Sequence, residues 1–145
     1  LSRASALHDV GKLNLEPGLL TKSEKLTDSE WEEVKASPVV GFEILKNSSR
    51  EMIQIGSIVA SQHQENWDGS GYPNGLSGTD IHIYARIVAL ANVYDALRSD
   101  LSYRQAMPHE EATKVILEQK GKQFDPKLVE LFENNQTMFD AVYKS

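Results

Sequence analysis

Two places in the chain carry side chains that can bind a metal ion. His8 and Asp9 are adjacent at the predicted end of one helix, and His63 lies at the predicted end of another. Adjacent side chains on a helix diverge by about 100°, but both can reach one ion at the helix terminus. Imidazole nitrogen with carboxylate oxygen suits hard or borderline ions such as Fe, Mn, Mg or Zn. Taken alone, the His-Asp pair is more typical of an exposed pair without a function.

Glycine, proline and lysine follow these candidate ligands. Gly11 allows a close approach of the backbone, and Lys12 beside it can meet a phosphate. After His63 the chain reads Gln-Glu-Asn-Trp-Asp-Gly-Ser-Gly-Tyr-Pro over 64–73. Glycine and proline at these spacings set the conformation of a loop rather than fill a core. The sequence therefore predicts a loop of defined shape beside a candidate metal site.

The elements that must position these residues are predicted to be helices. Apolar residues recur at helical spacing through most of the chain, and no long stretch alternates with period two. Thr27 to Glu30 matches a capping box, and Pro38 suits the first turn of a separate helix. The fold class is predicted to be all-α. The predicted helices are a segment ending at 9, one after Thr27, one from Pro38 to 45, 52–63, 83–97, two beginning at Pro108 and Pro126, and 136–143.

The composition limits the possible functions. The 145 residues, 40% of them hydrophobic, fit one domain spanning 1–145. The absence of cysteine leaves His and carboxylates as ligands, and the net charge of -6 argues against nucleic-acid binding. Without a membrane-spanning apolar run or a signal peptide, the protein is predicted to be cytoplasmic with no membrane partner. Its abrupt start in helix-like sequence predicts that an N-terminal helix or an upstream regulatory domain is missing.

Five motifs along the chain resemble those of a known family. They read Leu-His-Asp-Val-Gly-Lys at 7–12, Glu-Trp at 30–31 with Gly-Phe-Glu-Ile-Leu at 41–45, Trp-Asp-Gly-Ser-Gly-Tyr-Pro at 67–73, Tyr-Asp-Ala-Leu at 94–97 with Ser-Asp at 99–100 and Tyr-Arg at 103–104, and Gln-Phe-Asp-Pro-Lys-Leu-Val at 123–129. With these motifs the chain resembles the HD-GYP family. The resemblance implies a bacterial signalling domain, an HD-type helical bundle and a glycine-rich GYP loop (residues 66–80). It also implies hydrolysis of cyclic di-GMP by two or three metal ions, commonly iron or manganese.

The family pattern assigns roles position by position. His8 and Asp9 match its paired metal ligands, and His63 keeps one of two consecutive histidines. The resemblance implies catalytic roles for Asp9 and for Lys12, which also contacts phosphate. It further implies substrate contacts from Asp68, Gly69, Tyr72 and Arg104. The GYP loop lies near the site in the family or serves as a contact surface for protein partners, and both readings remain open.

The chain departs from the family pattern at four positions of this site. Ser37 stands where the family has a histidine before Pro38, Gln64 replaces the second histidine, and Asn92 replaces an aspartate. Leu101 occupies the place of an arginine. A serine hydroxyl is a weak donor, and amide oxygens are neutral where such ions prefer imidazole or carboxylate. We therefore expect no multi-metal centre, but one divalent ion such as Fe or Mn at partial occupancy, held by His8, Asp9, His63 and weakly by Asn92.

Three functions remain open at this point. The favoured hypothesis is a signalling domain that binds cyclic di-GMP, a related nucleotide or a protein partner, with little or no hydrolysis. The first alternative is an active, metal-dependent cyclic di-GMP phosphodiesterase. The second is a mononuclear phosphohydrolase of the wider HD superfamily that acts on another nucleotide.

Other notable residues are predicted to have structural roles. His82 and His109 stand at predicted helix starts and are expected to face solvent. Glu65 and Asp68 are expected to order the loop, because carboxylates beside glycines often accept backbone amide hydrogen bonds. Packing, rather than stacking on a base, is expected of the aromatic residues Trp31, Phe42 and Trp67.

Overall fold

Helices form the regular structure of the protein. The computed structural model describes residues 1–100 and 105–144, and only the backbone of 143 and 144. Within these ranges β-structure is limited to one isolated bridge, so the predicted all-α class is confirmed. Three 3-10 turns span Val10–Asn14, Leu19–Thr21 and Gly78–Asp80. The helices are α1 (Ser2–Ser5), α2 (Asp28–Leu45), α3 (Glu51–Gln62), α4 (Ile83–Arg98), α5 (His109–Glu118), α6 (Pro126–Asn134) and α7 (Gln136–Lys144).

The longest helix, α2, begins as its sequence predicts but does not end where it predicts. The Thr27 side chain accepts from the Glu30 amide at 3.3 Å, and the Glu30 carboxylate accepts from the Thr27 amide at 2.7 Å. The predicted start of a separate helix at Pro38 is wrong, because α2 continues through it to Leu45. An internal proline removes a backbone hydrogen bond and costs about 3 kcal/mol. Ser37 and Pro38 are both buried, and this burial offsets the cost.

The remaining helices lie close to their predicted bounds. The helix α3 ends at Gln62, so His63 is its C-terminal cap, as predicted. Pro126 is the first residue of α6, whereas Pro108 precedes the first residue of α5. The first predicted helix is too long at its end, because α1 stops at Ser5 and residues 6–9 form turns.

The apolar core is concentrated in the second half of the chain. It is built from α4, α5 and α6 and from the loop before α6, and its buried residues are Leu90, Tyr94, Leu97, Ala112, Ile116, Phe124, Val129 and Phe132. Tyr94 meets the rings of Phe132 and Phe139 edge to face, with centroids 5.4 and 6.0 Å apart. None of the helices in the described ranges has the length and apolar character needed to span a lipid bilayer.

In the first half of the chain, small residues allow close contacts between the elements. Gly11 lies so close to α2 that a Cβ there would overlap the Ser37 carbonyl and stand 2.7 Å from the Gly41 nitrogen. A Cβ on Gly41 would in turn lie 3.2 Å from the Ala60 Cβ of α3. The loop that carries His8 and Asp9 is therefore fixed against α2, and α2 against α3.

Replacing Gly11 with alanine tests this contact. The new methyl group collides with backbone atoms that cannot rotate away, so we expect the free energy of unfolding to fall by about 2–3 kcal/mol, measured by urea denaturation. The matched control is Gly41→Ala, in the same contact region, where the new methyl group would stand 3.2 Å from the Ala60 Cβ and the Gly11 nitrogen rather than overlap an atom, and where the better helix propensity of alanine should leave a much smaller change. Equal losses in the two variants would contradict this account of the packing.

Candidate metal site

Three of the four predicted metal ligands, His8, Asp9 and His63, lie together. Asp9 lies between two imidazoles, with His8 Nε2 at 3.3 Å from Oδ2 and His63 Nε2 at 3.5 Å from Oδ1. The two rings meet edge to face, with centroids 5.1 Å apart. Lys12 Nζ lies 2.8 Å from Asp9 Oδ2. Residues that are more than 50 positions apart in sequence thus form one cluster, as the sequence predicts.

Backbone carbonyls set the tautomer of both histidines. His8 Nδ1 lies 2.7 Å from the Ser5 carbonyl oxygen. His63 Nδ1 lies 3.0 and 3.1 Å from the carbonyl oxygens of Val59 and Ala60. A carbonyl oxygen only accepts hydrogen bonds, so Nδ1 of each ring donates its proton. In the neutral ring the lone pair is then on Nε2, which faces Asp9, and this is the arrangement that typically orients metal-bound histidines.

Two atoms of the cluster are buried without a hydrogen-bond partner. They are Asp9 Oδ1 and His63 Nε2, which face each other across the 3.5 Å gap. Two unsatisfied acceptors repel each other, and each buried unsatisfied group costs about 1–3 kcal/mol. A proton or a cation between them relieves this cost. The chemistry of the donor set therefore fits a divalent cation.

The donor set is incomplete as it stands. Within residues 1–100 and 105–144, no three or more His, Cys, Asp or Glu side chains have the geometry of a finished metal site. Ligands about 2.1 Å from one ion are roughly 3.0–3.4 Å apart, close to the two contacts that Asp9 makes. A bound ion would need a small adjustment of these side chains and further donors such as water.

The charges of the cluster reinforce one another. Burial raises the pKa of Asp9, but the facing His63, His8 and Lys12 outweigh burial and hold this pKa below its ordinary value. The Asp9 carboxylate raises the pKa of His8, against partial desolvation. Asp9 is thus held in its carboxylate form at neutral pH.

The GYP loop is held in shape by two carboxylates. Glu65, which is 3% exposed, accepts from the amides of Asn74 at 2.7 Å and Leu76 at 3.1 Å. Asp68 accepts from the Ser70 amide at 2.9 Å, and the Ser70 hydrogen bonds lower its pKa. The loop-ordering roles predicted for both carboxylates are confirmed.

The glycines of the GYP loop meet two different demands. Gly69 has a φ of 84°, which glycine adopts without strain. A Cβ on Gly71 would overlap the backbone of Asn66 and lie 2.5 Å from the Gln64 carbonyl oxygen. Asp68 is exposed and bonded within its own turn, so substrate contact by Asp68 and Gly69 stays a prediction.

A buried ion pair that the sequence analysis missed anchors the same loop. Arg86 Nη1 donates to Asp125 Oδ2 at 2.6 Å, and its Nε donates to the Ile81 carbonyl at 2.9 Å. The Arg86 guanidinium also lies 5.7 Å from the ring centroid of Trp67. The Trp67 amide donates to the Gln123 carbonyl at 3.1 Å. The Gln-Phe-Asp-Pro motif at 123–126 therefore supports the loop. No local sequence pattern predicts that Arg86 pairs with Asp125 of this motif.

Tyr72 connects the loop to the metal cluster. Its side chain is half-buried, and burial raises the pKa of its phenol, with repulsion from the Asp9 carboxylate adding to the effect. Its ring meets the Trp31 ring edge to face, with centroids 6.0 Å apart. The Tyr72–Pro73 peptide bond is cis. Tyr72 is therefore close enough to Asp9 for the carboxylate to influence its phenol, and its contact with a substrate stays a prediction.

The altered positions occupy different places around the cluster. Ser37 is buried, with its carbonyl against Gly11. Gln64 is half-buried, and its backbone carbonyl accepts from the Tyr72 amide at 3.2 Å. Asn92 lines a cleft of about 470 Å³ together with His8 and Asp95. The predictions that concern Leu101 and Arg104 lie outside the described residues.

Trp31 meets the Tyr72 ring edge to face and is 44% exposed. Two structural expectations need correction. His82 and His109 are half-buried rather than facing solvent. His82 Nδ1 caps α4 by accepting from the Tyr84 amide at 3.2 Å, and His109 Nδ1 lies 2.9 Å from the Tyr94 hydroxyl. Both rings are partly buried because a ring nitrogen makes a hydrogen bond, with the first turn of α4 in His82 and with the Tyr94 hydroxyl in His109. Trp67 packs as expected.

Comparison with known proteins agrees with this fold. The family model described as HD domain matches residues 1–128, so the chain belongs to the HD domain family. The resemblance to its HD-GYP members is also confirmed, because relatives named as cyclic di-GMP phosphodiesterases align along nearly the whole chain.

Three relatives illustrate the similarity. The 3'3'-cGAMP-specific phosphodiesterase 2 of Vibrio cholerae is 42% identical over 100% of this chain and 28% of its own length. The cyclic di-GMP phosphodiesterase response regulator RpfG of Xanthomonas campestris is 38% identical over 98% and 38%. The cyclic di-GMP phosphodiesterase of Thermotoga maritima is 39% identical over 97% and 38%. The chain thus spans about a third of the length of these curated relatives.

A solved structure supports the fold alone. The crystal structure of a cyclic GMP-AMP specific phosphodiesterase of V. cholerae superposes with a TM-score of 0.58. The match covers 96% of this chain and 34% of that one, at 23% sequence identity. The helical arrangement is therefore that of a known phosphodiesterase structure.

Replacing His63 with alanine tests the cluster as a metal site. We expect the affinity for Mn²⁺ to fall at least about tenfold, since even the loss of an outer-shell partner costs 10–100-fold. The measurement is calorimetric titration of chelator-treated protein with Mn²⁺. His82→Ala is the matched control, because His82 caps α4 outside the cluster and its loss should leave the affinity unchanged. Similar affinity in wild type and His63→Ala would rule out the assignment.

Proposed function

We propose that this domain binds one divalent ion through His8, Asp9 and His63, and a cyclic dinucleotide at the same place, with slow hydrolysis at most. One observation carries the proposal. Two histidine rings, each fixed by a backbone carbonyl, direct Nε2 at a carboxylate that has an unsatisfied buried oxygen. The names of the relatives supply the ligand class, since they act on cyclic di-GMP or on 3'3'-cGAMP.

The residues around the cluster suit a phosphodiester. When bound, a divalent ion supplies a Lewis acid that lowers the pKa of a bound water and offsets charge on phosphoryl oxygens. Lys12, 2.8 Å from Asp9, brings a second positive charge to the same side. The half-buried phenol of Tyr72, whose pKa is raised by burial and by Asp9, can donate a hydrogen bond to a phosphate oxygen.

The altered donors argue for binding with little turnover. A centre with two or three ions needs more ligands than His8, Asp9 and His63 provide. Ser37, Gln64 and Asn92 offer a hydroxyl and two neutral amides at the remaining positions, and these are poor donors for such ions. A single ion holds a phosphate more readily than it activates a water and stabilises a leaving group together. Binding of a protein partner by the GYP loop stays a prediction.

The second candidate is an active cyclic dinucleotide phosphodiesterase. It is favoured by the 42% identity over the full chain to a relative named as a phosphodiesterase. The convergence of His8, Asp9, His63 and Lys12 supports it equally. The two candidates differ in the number of ions bound and in the rate of hydrolysis.

A metal and turnover assay separates them. Protein purified without chelator is analysed for metal content, and hydrolysis of cyclic di-GMP and 3'3'-cGAMP is measured with added Mn²⁺ or Fe²⁺. We expect at most one ion per chain and turnover at least about tenfold slower than that of the T. maritima relative. Two ions per chain with comparable turnover would establish the active phosphodiesterase instead.

Restoring the altered donors tests why turnover is slow. We expect the triple variant Ser37→His, Gln64→His and Asn92→Asp to bind a second ion and to hydrolyse the substrate at least about tenfold faster than wild type. The control carries the same chemical changes at the exposed positions Ser29, Gln54 and Asn134. An improvement in the control, or none in the triple variant when it remains folded by circular dichroism, would contradict the ligand assignment.

A further inference from the structure

Trp31 is exposed although it belongs to the buried side of α2. The stripe of α2 that faces the protein continues from it through Val34, Pro38, Gly41 and Leu45, all of which are buried. Trp31 begins this stripe at helical spacing, yet 44% of its surface remains accessible. A large indole left uncovered at the end of an otherwise buried stripe offers a flat apolar surface.

The position of Trp31 relates it to the metal cluster. Its ring meets the ring of Tyr72 edge to face. Burial and the nearby Asp9 carboxylate raise the pKa of the Tyr72 phenol. Trp31 precedes Ser37, which touches Gly11, by six residues, or about 9 Å along the helix. This distance along the helix is comparable to the distance from a phosphate group, across the ribose, to the base of a nucleotide.

Polar side chains lie beside the indole. Trp31 lines a cleft of about 330 Å³ together with Lys25, Leu26 and Asp28. Lys25 can donate and Asp28 can accept a hydrogen bond at the edge of a stacked base. The capping box of α2 and the ion pair from Lys22 to Glu30 at 2.8 Å fix this end of the helix, so the platform is rigid.

We propose that Trp31 stacks on one purine base of a cyclic dinucleotide whose phosphate lies at the cluster of Lys12, His8, Asp9 and His63. This subsite rests on the proposed function, because the phosphate defines where the base can reach. Stacking on an aromatic ring tolerates either purine, and the contacts to Lys25 and Asp28 act on the edge of the base. The Tyr72 ring supports the indole from its side, so the loop and the base subsite form one surface.

Calorimetric titration of the Mn²⁺-loaded protein with cyclic di-GMP tests the subsite. We expect Trp31→Ala to bind the dinucleotide about 5- to 100-fold more weakly, the range expected for the loss of one base–aromatic stack. Trp31→Phe should retain most of the affinity. Binding of Mn²⁺ alone should be the same in all variants. Phe42→Ala is the matched control, because Phe42 is a partly exposed aromatic of the same helix, about 16 Å farther along it.

Tryptophan fluorescence provides a readout that a purely structural role would not change. We expect the dinucleotide to quench the fluorescence of the wild type, and the quench to be lost in Trp31→Phe, in which Trp67 is the remaining tryptophan. Equal affinity of wild type and Trp31→Ala, or a quench that persists in Trp31→Phe, would overturn the subsite while leaving the proposed function in place. Failure of the wild type to bind the dinucleotide at all would overturn both.

Discussion

The absence of a side chain at Gly11 is the constraint on which the site depends. The backbone of this residue lies against the carbonyl of Ser37, in space that no Cβ can share. Gly41 continues the contact toward Ala60 of α3, the helix that carries His63 at its end. Close packing of this kind leaves little freedom for displacement. It brings together ligands from two distant parts of the chain without a large apolar core between them.

The cluster itself is organised by hydrogen bonds made on its far side. Backbone carbonyls accept hydrogen bonds from Nδ1 of His8 and of His63, and this places the lone pair of each neutral ring on Nε2. As a result, Asp9 Oδ1 and His63 Nε2 are buried without hydrogen-bond partners. Polar groups are rarely left in this condition, and sites that bind ligands are where such a cost is tolerated. The GYP loop shows the opposite design, because the buried carboxylate of Glu65 is satisfied by two amides.

The sequence predicted those features that depend on local chemistry. The capping box at Thr27, the end of α3 at His63 and the all-helical class follow from residue patterns that act within a few turns. Pro38 was misjudged because packing against another segment compensates a local penalty. Trp31 has the helical spacing of the buried stripe of α2 yet is 44% exposed, and periodicity alone does not report such exposure. The pairing of Arg86 with Asp125 links positions 39 residues apart, beyond the range of any local pattern.

The position of Glu65 couples two parts of the site. It follows the last residue of α3 by three positions and His63 by two, and its carboxylate accepts hydrogen bonds from the amides of Asn74 and Leu76. Glu65 therefore connects the GYP loop to the backbone segment that carries His63. If a ligand on the loop changes the affinity of the cluster for an ion through this connection, thermodynamic linkage requires that the ion change the affinity for that ligand by the same factor.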